Sequence, residues 1–258
     1  MRRLSPTTAR ASDVSAVSQT EFVAPKVIYE NDRLVVLDKP AGWLTHTDGR
    51  RTEPTVADWL LARYPGLGAV GEPGQLATGR IVARPGIVHR LDRETSGVMV
   101  AAKDETTYRA LRQAFAARRV RKTYRLLVIG QVKSEKGVID LPIGRSQLDP
   151  RRRTVARRGL IRPAVTKYRV LRRFRDATYL EAYPETGRTH QLRVHFKSIQ
   201  HPLIGDQLYA GSGSTIISRT ALHAYCLELP PPIAPAAALF LAPLPLDFFT
   251  ALALLDDL

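Results

Sequence analysis

The residues best suited to chemistry lie in the segment HRLDRETSG, residues 89–97. Charged and hydroxyl side chains crowd this segment directly before GVMVAAK, an apolar run that predicts a strand. Asp92 stands between Arg90 and Arg93, and loops on rigid scaffolds often carry reactive groups. A carboxylate placed there can act as a nucleophile. It can equally belong to a surface turn with local salt bridges, and spacing alone favours that second interpretation.

The elements that would position this segment are predominantly strands. Strand patterns occupy 27–30, 34–39, 97–103, 123–130, 138–144, 164–171, 178–184 and 220–229. Helical patterns occupy 54–63, 105–118 and part of 187–202, whereas 65–86, rich in Gly and Pro, predicts a loop. Because strands outnumber helices and their connections are irregular, the sequence predicts an α+β fold. Its central sheet is expected to be mixed and largely antiparallel, flanked by helices and loops.

Local signals mark the ends of the three helices. Thr55 and Asp58 have the spacing of a capping box, and Asp104 is placed to cap the second helix. Thr189 is the expected cap of the third helix, and Pro202 is expected to stop it.

The two ends of the chain differ from the middle. Residues 1–24 are rich in Ser, Thr and Ala without periodicity, which predicts a disordered tail. Residues 25–258 are expected to form one catalytic domain. The apolar stretch 236–249 is expected to pack on its body. No apolar run reaches the length of a membrane span and no signal-peptide core is present, so we expect a cytoplasmic protein that does not bind membranes.

The charge of the chain indicates a polyanionic partner. Thirty-nine Lys and Arg against 24 Asp and Glu give a net charge of +15. RNA or DNA is the natural partner of such a surface, since no lysine-rich amphipathic helix favours a membrane. Residues 145–175 hold twelve Arg or Lys and the single acid Asp149. This basic segment is either a solvated loop or a phosphate-binding element, and the candidate contacts in its densest part are Arg151, Arg152, Arg153, Arg157 and Arg158.

The segment around Asp92 closely resembles the HRLDxxTSG signature of RluA-type RNA pseudouridine synthases. Further segments resemble the later and earlier blocks of that family in the same order: YENDRLVVLDKPAGWLTH (29–46), RKTYRLLVIG (121–130), PETGRTHQLRVHF (184–196), HPLIGDQLY (201–209) and TALHA (220–224). The resemblance covers about 27–228. It implies the pseudouridine synthase fold with a basic RNA-binding cleft. Many relatives begin with a small S4 RNA-binding domain, for which residues 1–24 are too short, so the chain resembles the S4-less branch.

The resemblance implies roles for individual residues. Asp92 matches the nucleophile, and Arg193 matches an arginine that pairs with it and would favour the ionised carboxylate in a drying pocket. Tyr124 matches a tyrosine that stacks on the target base and can serve as a general base. Arg90 matches an arginine that takes the place of the extruded nucleotide, although a phosphate contact or a loop salt bridge is the alternative. Lys122 is expected to contact RNA.

The implied reaction is an isomerisation, that is, an intramolecular transfer. It converts uridine to pseudouridine in structured RNA, either large-subunit ribosomal RNA or tRNA, with base flipping and an Asp92 nucleophile. The family implies no metal and no organic cofactor, and a monomer is expected. A catalytically silent RNA-binding protein of the same fold is the alternative. A zinc deaminase is disfavoured because Cys226 is the only cysteine, and a glycoside hydrolase because no second carboxylate is evidently paired with Asp92. Lys39 is either a turn residue or a catalytic cation.

Overall fold

The computed structural model describes residues 23–47, 49, 53–76, 78–155, 160–211, 213–231, 233 and 238–257. Within these ranges fourteen strands follow one another: β1 (Lys26–Glu30), β2 (Leu34–Lys39), β3 (Gly74–Gln75), β4 (Ile81–Val82), β5 (Ser96–Ala102), β6 (Arg121–Ile129), β7 (Lys136–Asp140), β8 (Ile143–Arg145), β9 (Arg153–Val155), β10 (Ile161–Arg162), β11 (Val165–Arg173), β12 (Ala177–Pro184), β13 (Leu222–Leu229) and β14 (Ala238–Leu241). The helices of the same ranges are α1 (Val56–Arg63), α2 (Glu105–Ala116), α3 (Gln191–Ser198) and α4 (Leu246–Asp256), and Pro65–Ala69 is a short 3-10 helix.

One sheet dominates the described part of the chain. Its order is β1-β2-β5-β13-β6-β12-β11-β7, and β14 pairs with the second half of β13. Only β5 and β13 run parallel among these described strands, with His223 opposite Ser96; the other pairs are antiparallel. The predicted α+β fold with a mixed, largely antiparallel sheet is therefore confirmed.

The helices cover both faces of this sheet. Successive residues of a strand point to opposite faces. Leu126 packs with Phe196 of α3, whereas its neighbour Leu127 packs with Phe248 of α4. The alternation along β6 therefore places α3 and α4 on opposite faces. Both α1 and α2 pack on the half of the sheet that contains β2 and β5.

The basic segment forms a second, smaller sheet. Its order is β10-β8-β9, and both pairs are antiparallel. Residues 143–162, which contain these three strands, are called the arm below. Arg157 and Arg158, two of the predicted RNA contacts, lie outside the described residues.

The first residues of the helices can be compared with the predicted caps. Thr55 accepts from Asp58 N (3.2 Å) while Asp58 accepts from Thr55 N (2.9 Å), so the capping box is confirmed. Asp104 accepts from Thr107 N (2.8 Å), as expected of a cap. The predicted Thr189 cap is wrong. His190 stands at the start of α3 in the left-handed region, with φ 57° and no side-chain cap.

Three other expectations need correction. The predicted strand 138–144 is two strands, β7 and β8, because the chain leaves the large sheet after Asp140 and enters the small one. The predicted loop 65–86 contains the 3-10 helix and the hairpin pair β3 and β4. The stretch 236–249 contributes β14 and the start of α4, which packs on the sheet as expected but through regular structure.

Few residues of the predicted N-terminal tail are described. Of residues 1–24 only Val23 and Ala24 are described, and the Val23 carbonyl accepts a hydrogen bond from Trp43 Nε1 (2.9 Å). None of the described helices is both long and apolar enough to cross a bilayer.

Candidate active site

The loop that carries Asp92 is fastened to the body by its own backbone. Thr45 Oγ1 donates to the Leu91 carbonyl (2.9 Å) and accepts from Leu91 N (3.2 Å). On the other side of Asp92, the Arg93 carbonyl accepts from Gly42 N (2.9 Å). Asp92 is thus bracketed by hydrogen bonds to the segment after β2, which leaves the loop little freedom.

Lys39 serves that same fastening. Its side chain is fully buried, and Nζ donates to the carbonyls of Pro40 (3.0 Å), Trp43 (2.8 Å) and Arg93 (3.1 Å). Burial lowers the pKa of Lys39 to about 7, against the attraction of Asp92. Three carbonyls receive the three ammonium hydrogens, so the geometry favours the turn residue over the catalytic cation.

Arg219 holds the end of the loop. It is buried, donates to the Glu94 carbonyl (3.1 Å) and forms a bidentate pair with Asp247 near the start of α4 (2.6 and 3.0 Å). The C-terminal helix is thereby tied to the loop that presents Asp92. Bidentate pairs of this kind fix orientation as well as adding energy.

Arg193 connects Asp92 to a second carboxylate. Its Nη1 donates to Asp92 Oδ2 over 3.4 Å, while Nε and Nη2 form a bidentate pair with Asp206 (2.7 and 2.8 Å). Asp206 is fully buried. Burial works against the charge of Arg193, yet the hydrogen bonds and charge of Asp206, together with Asp92, raise its pKa above the ordinary value. The guanidinium is therefore a fixed cation, held by Asp206 and directed at Asp92.

The pairing of Arg193 with Asp92 was predicted from the sequence, but no role was predicted for Asp206. One signal was available. Asp206 is the only Asp, Glu, Lys or Arg between Lys197 and Arg219. A lone acid in a stretch without other charges is a candidate for a buried ion pair, because a fully buried acid is almost never without a partner.

Tyr124 lies on β6 and borders the same cleft as Asp92. The ring is half-buried. Burial, with a smaller effect of the Asp92 charge, raises the pKa of its phenol above the ordinary value. The phenol therefore keeps its proton at neutral pH, so it offers a stacking surface and a hydroxyl rather than a ready base.

The cleft has a volume of about 570 Å³, within the range of small-molecule sites. Its lining includes two carboxylates, Asp92 and Glu185, and a larger set of cations: Arg84, Arg90, Arg112, Arg118, Lys122, Arg188 and Arg193. Burial and the nearby Arg118 lower the pKa of Lys122 to about 8, which leaves it largely charged at pH 7. The cleft as a whole attracts anions.

Arg90 is exposed at the mouth of this cleft. Its Nη1 donates to Nε2 of the buried His46 over 3.3 Å. Burial and the neighbouring Arg90 and Arg84 lower the pKa of His46 to about 4, so the imidazole is neutral and able to accept. Arg90 forms no ion pair with Asp92 among the described contacts, and its guanidinium is placed to meet a ligand.

The arm presents its described arginines less freely than the sequence suggested. Arg151 forms a bidentate pair with Asp149 (3.0 and 2.9 Å), and Arg152 Nε lies 3.5 Å from the same carboxylate. The Arg153 side chain donates to the carbonyls of Pro150 and Arg152. Asp149 therefore holds two of these three arginines in place, out of five described arginines in the arm.

The histidines of the chain offer no metal centre. No group of three or more His, Cys, Asp or Glu in the described ranges has the arrangement of metal ligands. Ser96 and His223 form a pair resembling a hydrolase dyad, with Ser96 Oγ 2.9 Å from Nδ1 and Nε2 donating to the Ala242 carbonyl (3.0 Å). Both residues are buried, so a substrate has no access and the pair is structural.

Comparisons with known proteins show the family of the chain. The family model of RNA pseudouridylate synthase matches residues 33–198. An RNA pseudouridine synthase of Chloroflexus aurantiacus is 44% identical over 221 residues, which are 85% of this chain and 66% of that protein. The ribosomal large subunit pseudouridine synthase D of Nitrosomonas europaea is 38% identical over 248 residues, 93% of this chain and 68% of that one.

A solved structure agrees as well. Human RNA pseudouridylate synthase domain containing 4 aligns with a TM-score of 0.69 at 25% identity, over 90% of this chain and 93% of its own. The matches to some of the curated relatives span 59–66% of their length. The chain belongs to the RNA pseudouridylate synthase family, in agreement with its resemblance to the RluA-type enzymes.

Proposed function

We propose that the protein isomerises uridine to pseudouridine in structured RNA, with Asp92 as the nucleophile. This proposal rests on the placement of the Asp92 carboxylate. The carboxylate is held by its loop, contacts Arg193, and lies in a cleft whose charged residues are mainly cations. In the reaction the N1–C1′ bond of uridine breaks and a C5–C1′ bond forms. C5 loses its hydrogen as a proton and N1 gains one, so the change is an isomerisation without cofactor.

The cleft residues would divide the work. Asp92 attacks the nucleotide to form a covalent adduct, and Arg193 keeps a positive charge beside the carboxylate while the flipped base excludes water. Tyr124 stacks on the uracil, which suits a phenol that keeps its proton. Arg90, exposed at the mouth, fills the space left by the extruded nucleotide. Flipping costs roughly a few kcal/mol of unstacking, which phosphate contacts by Lys122 and the arm cations Arg151, Arg152 and Arg153 offset.

Large-subunit ribosomal RNA is the first substrate class to test, because several similar proteins carry that substrate in their names. The second class is tRNA. As part of this proposal, the protein acts in the cytoplasm.

The test is tritium release from C5-labelled uridine in unmodified ribosomal RNA and tRNA transcripts. Wild type is expected to release tritium from one class, and Asp92→Ala is expected to release none while still binding the transcript. Asp38→Ala is a control that removes an acid on β2, outside the cleft lining. Binding without release by the wild type would favour the silent RNA-binding protein, and release that survives Asp92→Ala would reject Asp92 as the nucleophile.

A further inference from the structure

Tyr209 contacts both groups that approach Asp92. Its ring is buried, and the Arg193 guanidinium lies 4.9 Å from the ring centroid. Its hydroxyl lies 2.9 Å from Nδ1 of His190. His190 Nε2, on the far side of that imidazole, lies 3.9 Å from Asp92 Oδ2. One side chain thus supports the two nitrogen groups that face the nucleophile.

Tyr209 is itself held by the arm. Its oxygen accepts a hydrogen bond from the backbone N of Arg153, the first residue of β9 (2.8 Å). A continuous path therefore runs from β9 through the Tyr209 hydroxyl and the His190 imidazole to the Asp92 carboxylate. A second cleft, lined by Arg152, Arg153 and Lys197, adjoins Tyr209 on the side of the arm.

The path favours one tautomer of His190. Because the Tyr209 oxygen accepts from Arg153 N, its own hydrogen is free to be donated to Nδ1. Burial, with Arg193 and Arg153 nearby, lowers the pKa of His190, so the ring is neutral. With Nδ1 accepting, Nε2 carries the hydrogen and turns it toward Asp92. In the opposite tautomer, the lone pair of Nε2 would point toward the carboxylate.

The backbone at His190 agrees with a positioning role. Its φ of 57° is a left-handed conformation that non-glycine residues seldom adopt, and such strain concentrates at functional sites. We propose that Tyr209 is a positioning residue that couples the arm to Asp92, by orienting His190 through its hydroxyl and supporting Arg193 with its ring. This inference rests on the proposed role of Asp92.

The test removes the hydroxyl and keeps the ring. Tyr209→Phe is expected to lower kcat about tenfold while KM changes less than about twofold, as for loss of one positioning hydrogen bond. Tyr64→Phe is the matched control. The Tyr64 hydroxyl also makes two hydrogen bonds, from Arg63 and to Glu30, and does not line the cleft. It is expected to leave kcat unchanged.

The pH profile separates positioning from simple destabilisation. Without the Tyr209 hydroxyl, Nδ1 is free to take up a proton, and the pKa of His190 rises. The groups that face His190 are Asp92, Arg193, Asp206 and Arg153, and all remain in the variant. On the acid side of the pH profile, kcat falls as the pH is lowered. This fall, the acid limb of kcat, is therefore expected to occur at higher pH in Tyr209→Phe than in wild type.

A double variant completes the design. Asn tolerates the left-handed backbone, so His190→Asn removes the imidazole without new strain. Tyr209→Phe combined with His190→Asn is expected to be no slower than His190→Asn alone, and to lack the shifted acid limb. Additive losses, an unshifted acid limb or a wild-type kcat in Tyr209→Phe would each overturn the coupling.

A readout independent of activity distinguishes this inference from the proposed function. Nitrogen-15 NMR of the histidines in the full chain reports which ring nitrogen of His190 carries the hydrogen. Nε2–H in wild type, changing in Tyr209→Phe, supports the hydrogen-bond path even if no transcript releases tritium. Nδ1–H in wild type overturns the path even if the enzyme is active.

Discussion

The loop of Asp92 and the arm are two functional regions built in opposite ways. Three buried side chains, Thr45, Lys39 and Arg219, hold the backbone of the loop through its carbonyls. In the arm, Leu148 and Leu160 are each 99% exposed, and Arg151 and Arg153 bind the arm's own Asp149 or nearby carbonyls. The loop is fixed by the core of the protein, whereas the arm is attached at Ile143 and by the bond from Arg153 N to Tyr209 and exposes much of the rest.

The difference follows from what each region is proposed to do. A reacting carboxylate needs a geometry defined to a fraction of an ångström, because small misplacements cost large factors in rate. Phosphate contacts act over longer distances and tolerate movement, since their energy comes largely from counterion release. Damage to the supports of Asp92 should therefore be costly, and damage to the arm should be mild.

Among changes to the supports of Asp92 and to the arm, the largest expected effect comes from Asp206→Asn, which removes the support of Arg193. The substitution leaves a buried guanidinium without its charged partner, and breaking such a pair costs about 3 kcal/mol of unfolding free energy or more. Because Arg193 also loses its orientation toward Asp92, kcat is expected to fall about 100-fold. Denaturant unfolding and tritium release measure the two effects.

Asp256→Asn is the matched control. Asp256 also forms a bidentate pair, with Arg172, but both side chains are partly exposed. Exposed pairs contribute under about 1 kcal/mol, so this variant should keep its stability and its activity. Equal losses in the two variants would contradict the view that burial near Asp92 makes the difference.

The next effect concerns pH and the buried His223, which lies behind the start of β5. Burial lowers its pKa from 6.5 to about 4. The unfolded chain takes up this proton near pH 6.5 and the folded chain only near pH 4, so stability is complete above 6.5 and is lost as the pH falls between them. The displacement corresponds to about 3 kcal/mol.

His223→Gln cannot titrate and is expected to show a flatter loss of stability between pH 6.5 and 4, measured by denaturant unfolding at each pH. His201→Gln, at a half-exposed position outside the core, should keep the slope of the wild type. If His223→Gln and wild type lose stability in parallel, the neutral Ser96–His223 pair does not contribute to the acid sensitivity of the core.

The same contrast explains what the sequence could predict. The capping box of Thr55 and Asp58 and the cap at Asp104 depend on neighbours three residues apart, so local pattern was sufficient. The split between β7 and β8 depends on which sheet each strand joins, and the start of α3 on the backbone angle of His190. Neither of these two features can be predicted from the local periodicity of the sequence. Asp206 and Tyr209 reach the site from thirteen or more residues beyond Arg193, and only the fold brings them there.

The smallest expected effect is in the arm, and it has opposite signs for two neighbouring substitutions. Asp149 competes with phosphate for Arg151 and Arg152, and the bonds to Arg151 lower its pKa to about 2, so it is ionised at every working pH. Asp149→Asn should release both cations and tighten RNA binding by about threefold, with a steeper dependence on salt. Arg151→Gln should weaken binding by a similar factor and reduce the salt slope by about 0.7–0.9.

Binding is measured in the Asp92→Ala background, so that turnover does not interfere, by titrating the responsive transcript at several salt concentrations. Asp176→Asn is the control, because Asp176 is exposed beside Arg175 at the turn between β11 and β12 and removes the same charge elsewhere. A general gain from lower negative charge would appear in both Asp variants. A gain confined to Asp149→Asn would show that the arm cations are held back by Asp149 and reach the RNA, whereas no change in either arm variant would leave the arm a solvated loop and move the phosphate contacts to the cleft.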